Sequence, residues 1–215
     1  MTRGRRRLII GATVAVGTAV LLYFLPLFHV VPLDAARQRA AEAAFDPVTF
    51  VERFWTERLI PASRGAVDAA ELIAVVQHDR QAARRTYGRR VGLGDVYYYY
   101  VVGIGRVVSV DKNSVGLALR DDQQQVQVLL EAGPIFGNAV RDGTGLLDVN
   151  HFANSQDFNA LSAEINRRIE QHVLPDLRNM AAIGARIRFV GCTEIMDEDT
   201  DLNPLRIVPF IVEAP

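Results

Sequence analysis

The sequence predicts an α+β fold: an OB-fold-like five-stranded Greek-key β-barrel with two added N-terminal helices and a helix between strands 3 and 4, preceded by one transmembrane helix. Three observations predict it. A charge-free run of 21 residues, Leu8 to Phe28, follows four arginines at the N-terminus. Segments of helical period then give way near Tyr97 to period-two segments rich in β-branched and aromatic residues. The later elements come in the order three strands, one helix, two strands, which is the order of the OB barrel. A split α+β sandwich gives a similar string, so this choice rests on element order.

The apolar run, helical at ~1.5 Å per residue, spans roughly 30 Å, the thickness of a bilayer's hydrocarbon core. Arg3, Arg5, Arg6 and Arg7 flank it on one side, and no basic residue follows before Arg37. That asymmetry keeps the N-terminus in the cytoplasm and puts the rest outside. Residues 1–32 are therefore read as a basic tag and signal anchor, 33–44 as a stalk and 45–215 as an extracytoplasmic domain, with 45–90 helical and 91–215 the barrel. The rival reading is a cleavable signal peptide, whose apolar region is shorter, ~7–15 residues; Ala35-Ala36 is the nearest cleavage candidate.

Beyond Pro32 the chain has 20 basic against 25 acidic residues, a net charge of −5. Phosphate backbones bind to basic patches, so nucleic acid is excluded as a partner. The single cysteine, Cys192, can form no internal disulfide and is read as a buried small hydrophobe. A domain of this length can be held by its core alone.

Asp46-Pro47 opens the first helix, since aspartate caps free amides and proline fits the first turn. Val48, Val51, Phe54, Trp55 and Leu59 mark its apolar face, and Pro61 and Gly65 break it. Asp68 with Glu71 resembles a capping box for a second helix, carried by Leu72, Ile73, Val76, Ala83 and Tyr87 and stopped at Gly88. Tyr97 to Val110 is one long strand, with Gly103 and Gly105 read as a bulge or bend. Asp111 to Asn113 turns the chain into strands Val115 to Leu119 and Val126 to Glu131. After a loop of about 20 residues, Asn154 or Ser155 caps a helix with Phe158, Leu161, Ile165, Ile169 and Val173 on one stripe, ending at Pro175. Arg186 to Ile195 and Leu205 to Val212 complete the barrel, with the acidic loop Asp197 to Asp201 between them.

Further likeness lies in particular residues: Tyr87-Gly88-Arg89-Arg90, the strand Tyr97 to Val110 with its two glycines, and Gly137-Asn138-Ala139-Val140-Arg141-Asp142. Phe152-Ala153-Asn154, Gln156, Phe158, Asn166, Val173-Leu174, Leu177, Gly184, Val190-Gly191 and Pro209 continue it. On these residues the chain resembles a family of bacterial predicted periplasmic lipoproteins of unknown function. The resemblance implies an OB-type barrel with added N-terminal helices, often encoded beside sugar ABC transporters. It brings no catalytic residue. The family's lipid-attachment cysteine is missing, so the transmembrane helix is expected to do the anchoring.

No chemistry-bearing motif stands out. Gly103-Ile104-Gly105 fails as a dinucleotide fingerprint because a strand continues where a helix should open. His29, His78, His151 and His172 lack metal-ligand spacing, and no serine sits in an elbow motif. The loop Asp197 to Asp201 could attract calcium, but it lacks a turn glycine and reads as a solvated hairpin. No metal, cofactor or catalytic residue is expected.

The best candidate for function is the loop Gly133 to Asn154, since long loops on a rigid barrel often carry binding residues. Asn138, Arg141, Asp142, Asn150, Asn154 and Gln156, with Arg89, form the candidate ligand- or partner-binding set. Arginine and amide groups suit a carboxylate, a phosphate or sugar hydroxyls. The structural alternative is that Arg141 and Asp142 pair within the fold and that Asn154 caps the next helix. In the row Tyr97 to Tyr100 one face is expected in the core and the other exposed for a protein or sugar contact. Three functions remain open, and the third, a hydrolase or other enzyme, lacks a recognisable nucleophile, metal set or paired-carboxylate site in the sequence. The first is a non-enzymatic accessory or scaffold protein of the envelope, linked to sugar ABC transporter subunits. The second is a small-molecule module, for a sugar or anion, using loop 133–154.

Overall fold

The structure is a computed structural model that describes residues 45–92, 95–152 and 154–215. The basic tag, transmembrane helix and stalk expected over residues 1–44 lie outside the described residues. Among the described residues no helix is long and apolar enough to cross a membrane.

Among the described residues seven strands form one sheet: β1 (Val67–Asp68), β2 (Arg89–Arg90), β3 (Tyr97–Asp111), β4 (Ser114–Ala118), β5 (Val128–Glu131), β6 (Arg186–Ile195) and β7 (Leu205–Glu213). The five longer strands close into a ring in the order β3-β4-β5-β7-β6 and back to β3. Within the ring only β5 and β7 run parallel. A closed ring leaves no room for a split sandwich. Alternate residues point inward, and Tyr99, Val101, Val107, Leu117, Val128, Leu130, Ile187, Phe189 and Ile207 are all fully buried. Each such side chain contributes about 1.5–3 kcal/mol relative to its exposed state.

β3 is the spine of the ring. Tyr97 through Arg106 pair without interruption against Ile195 through Arg186, while the other edge takes β2, β1 and then β4. The expected bulge at Gly103 and Gly105 is not there. The register shift opposite β4 falls between Val107 and Ser109. The two glycines serve close packing instead: a Cβ at Gly103 would meet the Phe189 ring at 2.7 Å, and one at Gly105 would meet Leu117 Cβ at 2.8 Å.

Helix α1 (Pro47–Phe54) is capped as expected, with Asp46 accepting the Val48 and Thr49 amides. It continues through a π turn, Trp55–Leu59, and a 3-10 turn, Pro61–Gly65, so Pro61 starts a turn where a stop was expected. Val48, expected on the buried face, is half exposed. Trp55 packs edge-on against Phe210 of β7, at 6.2 Å between ring centroids, fixing this segment on the barrel wall.

The expected second helix is two helices, α2 (Ala69–His78) and α3 (Arg80–Tyr87). Asp68 caps α2 through the Ala70 and Glu71 amides. Glu71 does not reach back as a capping box would; it accepts the Tyr87 hydroxyl at 2.6 Å. The chain turns at Asp79, whose extended backbone breaks one helix while its carboxylate caps the next at the Ala82 amide.

The stretch 133–154 is not an open loop. It holds a buried turn of helix, α4 (Ala139–Gly143), and a 3-10 turn, Val149–His151. Helix α5 (Ser155–Arg168) passes through a π turn, Ile169–Val173, into α6 (Leu174–Met180). Pro175 thus lies in the first turn of α6, where its missing N–H costs little, and does not end the helix. The acidic segment forms a short helix, α7 (Glu198–Asp201), capped by Asp197.

Candidate functional site

Helix α4 lies on the outer wall of the barrel against β6, close enough that a Cβ on Gly143 would meet Cys192 Cβ at 2.8 Å. Its two charged residues face inward: Arg141 is 6% exposed and Asp142 5%. Arg141 Nε and Nη2 donate to the two carboxylate oxygens of Asp142 at 2.7 and 2.8 Å. Nη1 donates to the Phe158 carbonyl and to Asn159 Oδ1, and the guanidinium stacks 4.0 Å from the Phe158 ring centroid. This fork is spent on the fold. Arg141 and Asp142 tie α4 to α5, as the structural alternative held, and present no group to a ligand.

The rest of the expected set disperses. Asn138 accepts the Ser162 hydroxyl at 2.8 Å, a second tie to α5. Asn150 is exposed and donates to Asp148, the residue that caps the 3-10 turn. Asn154 caps α5 at the Asp157 amide. Gln156 stands exposed on the first turn of α5. Arg89, on β2, lies across Gly145, whose positive φ and missing Cβ make room for the guanidinium. Asn138, Arg141 and Asp142 come together; Asn150, Asn154, Gln156 and Arg89 do not join them in one site.

The tyrosine row also departs from expectation. Tyr97, Tyr98 and Tyr99 are buried and Tyr100 is half-buried, so no exposed aromatic face exists there. Residues on the outer face are covered: Tyr100 stacks on Phe210 of β7, and Tyr98 lies beside Gly143 of α4.

What the loop does present is Phe136, 82% exposed. Its neighbours are fixed on both sides. Ile135 is buried, and its amide donates to Glu170 Oε1 at 2.7 Å. Gly137 adopts φ +80°, and its carbonyl accepts the Asn166 amide at 3.0 Å. A large apolar ring is thus held out in water by a stiff turn.

Phe136 stands between two hollows. One, of about 420 Å³, lies toward α5, beside Ser162, Asn166 and Arg167. The other, of about 260 Å³, lies on the outer face of β6 and β7, with Met196, itself 76% exposed, on its rim. Glu131, Glu194 and Asp201 line this second hollow against one cation, Arg206, which is paired to Glu131 at 2.6 Å. Glu194 Oε1 accepts the Tyr98 hydroxyl at 3.2 Å. Burial raises the Tyr98 phenol above its ordinary range, and the Glu194 and Asp142 charges add to this, so it stays a proton donor to Glu194.

Phe136, Met196 and Glu194 escaped sequence reasoning. An exposed apolar residue has no pattern of its own, although Pro134 and Gly137 around Phe136 do mark a turn.

Two further features carry no chemistry of this kind. Cys192 is fully buried, and burial pushes its thiol well above the ordinary range. Glu198 is held by arginines, taking the Tyr97 hydroxyl at 2.7 Å and pairing with Arg84, while Arg80 bonds Asp199 at 2.8 Å. Among the described residues no group of three or more His, Cys, Asp or Glu could hold a metal ion.

The fold is similar to that of an OB-fold protein from Thermotoga maritima MSB8, known from a crystal structure, with a TM-score of 0.71. The two are 21% identical over 80% of this chain and 99% of that one, a likeness that shows the fold alone. No curated protein matches the chain. The family model described as Predicted periplasmic lipoprotein (DUF2291) matches residues 18–213, and the chain belongs to that family of unknown function.

Proposed function

We propose that the chain is a membrane-anchored extracytoplasmic accessory protein, without turnover of its own, that docks a partner protein on the face around Phe136 and Met196. The observation that carries this reading is Phe136, held 82% exposed by a turn whose flanking residues are hydrogen-bonded to α5 and its π turn. Exposed apolar surface of that kind marks interaction sites, and a rigid aromatic loses little entropy on docking. Buried in a partner's pocket, such a ring becomes a binding hot spot. The charge of the neighbouring hollow sets the partner's chemistry. Three carboxylates against one arginine favour a segment with an apolar side chain next to a lysine or arginine.

The anchor in this proposal is the run Leu8 to Phe28, because the one cysteine of the sequence is sealed in β6 and can take no lipid there. Association with sugar ABC transporter subunits is part of the same proposal and is carried by the family resemblance. The test is isolation of the full-length protein from its own cells in mild detergent, with Phe136→Ala and Ile183→Ala in parallel, read by mass spectrometry. Ile183 is an exposed apolar residue that lines neither hollow. Loss of specific co-purifying proteins in the folded Phe136→Ala variant alone supports docking at this face, and permease subunits among them support the transport link. Equal retention by both variants overturns the reading.

A further inference from the structure

The β4–β5 and β6–β7 connections leave the ring at the same end, because β4 runs antiparallel to β5, β5 parallel to β7 and β7 antiparallel to β6. Helix α2 lies beside them. Between the three is a cleft of about 560 Å³, the most spacious of the hollows described and far in sequence from Phe136. That size falls within the range of small-molecule sites, ~300–1,000 Å³.

Its lining is specific in chemistry. Five amide-bearing residues line it from three segments: Gln77 from α2, Gln123, Gln125 and Gln127 from the β4–β5 connection, and Asn203 from the β6–β7 connection. Two cations join them, Arg80 and Arg120, the second paired with Asp122 at 3.4 Å, and among the described residues no carboxylate lines the cleft. This is unusual placement in a chain whose residues beyond Pro32 carry 25 acidic against 20 basic side chains. Ile73, Val126 and Leu202 supply apolar surface.

Several of these groups are set in place. Gln127 Oε1 accepts the Leu119 amide at 2.9 Å, which assigns its NH2 as the free end. Arg106 Nη2 donates to the Gln123 carbonyl at 2.6 Å and pins that connection to β3. Arg80 is steadied from α7 by Asp199 at 2.8 Å. The side-chain amides of Gln77, Gln125 and Asn203 make no hydrogen bond among the described residues. Amides both donate and accept, as hydroxyl groups do, and guanidinium groups donate to carboxylates. We infer that this cleft binds a small hydroxylated carboxylate, with the amides on its hydroxyls and Arg80 and Arg120 drawing its charge.

Gluconate, glucose and inorganic phosphate, titrated separately into the full-length protein in a non-glycosidic detergent and followed by calorimetry and ligand-observed NMR, test this. Gluconate is expected to bind saturably, with glucose and phosphate each at least several-fold weaker. Losing a charge-assisted hydrogen bond weakens binding by roughly ten-fold or more, the effect expected of Arg120→Ala, and losing a neutral one by roughly five-fold, the effect expected of Gln125→Ala. Both residues are exposed, so the variants should melt with the parent. No saturable gluconate signal overturns the inference, as does an affinity unchanged in both variants. Glucose binding as tightly as gluconate removes the role given to the charge, and phosphate binding as tightly removes the role given to the amides.

Discussion

Arg141 and Asp142, neighbours in the chain, form a two-pronged ion pair with each other inside the protein. Consecutive residues on a helix do not normally face one another. Here the short helix α4 ends at Gly143, and the Arg141 side chain folds back to the Phe158 carbonyl of α5 while its fork holds Asp142. Removing one partner leaves the other charge buried alone, which costs ~3–5 kcal/mol. Arg141→Ala should therefore lower the unfolding free energy read from urea denaturation by that amount, and Arg141→Lys should not restore it, because an ammonium cannot make the fork. An Arg141→Ala variant as stable as the parent would refute this role.

Gly137 carries the turn that presents Phe136. Its φ of +80° disfavours any side chain, and a Cβ would meet Glu194 Oε2 at 2.8 Å. Gly137→Ala should cost about 1–2 kcal/mol from backbone strain and should lose the same co-purifying proteins as Phe136→Ala. Retained partners with a lowered melting temperature would separate the turn from docking.

Glu198 is a pH-dependent tie between α7 and α3. The Tyr97 hydroxyl and then Arg84 hold its carboxyl below the ordinary range, with Arg80 adding to the pull. A depressed folded value contributes stability that is present above the unfolded value, ~4.3 for glutamate, and lost as pH falls through the folded one. Glu198→Gln should be less stable than the parent at pH 7, and the gap should shrink as pH falls below the unfolded value and close once it has passed the depressed folded one. A gap that stays constant with pH would show that the carboxylate's charge is not involved.

Cys192 should be silent to thiol reagents. It is sealed between β6 and α4, and burial disfavours the thiolate that such reagents need. Reaction with a disulfide reagent should begin only at denaturant concentrations that unfold the chain. Fast labelling of the folded protein would mean that α4 lifts from the barrel.

Much of the barrel was legible because its signals are local. The alternation in Arg186 to Ile195 gives that strand to the residue, and Asp46, Asp68 and Asn154 cap the helices they announce. What escaped depends on partners distant in sequence. Asp79 sits inside a run of continuous helical composition, and only its backbone turn makes it a cap. Helix α4 is five residues long, with no side-chain cap and no period to read. Gly103 and Gly105 look like a bend until Phe189 and Leu117 are placed opposite them. The loop 133–154 draws attention by its polar residues, but Asn138, Arg141 and Asp142 serve packing, and the exposed Phe136 carries no sequence signal of its own. Charge and hydrogen-bonding capacity are visible in a sequence; exposure is decided by what else covers the residue.

The long pairing of β3 with β6 joins residues 97–106 to residues 186–195, about ninety positions later. For a chain that emerges N-terminus first, this sets the order of assembly. The spine strand and its hairpin partner can form early, yet one edge of β3 stays without hydrogen-bonded neighbours until nearly the whole polypeptide is available. Closure is thus the last act of synthesis and transport, and a chain truncated before residue 186 keeps a ten-residue sticky edge in place of a barrel.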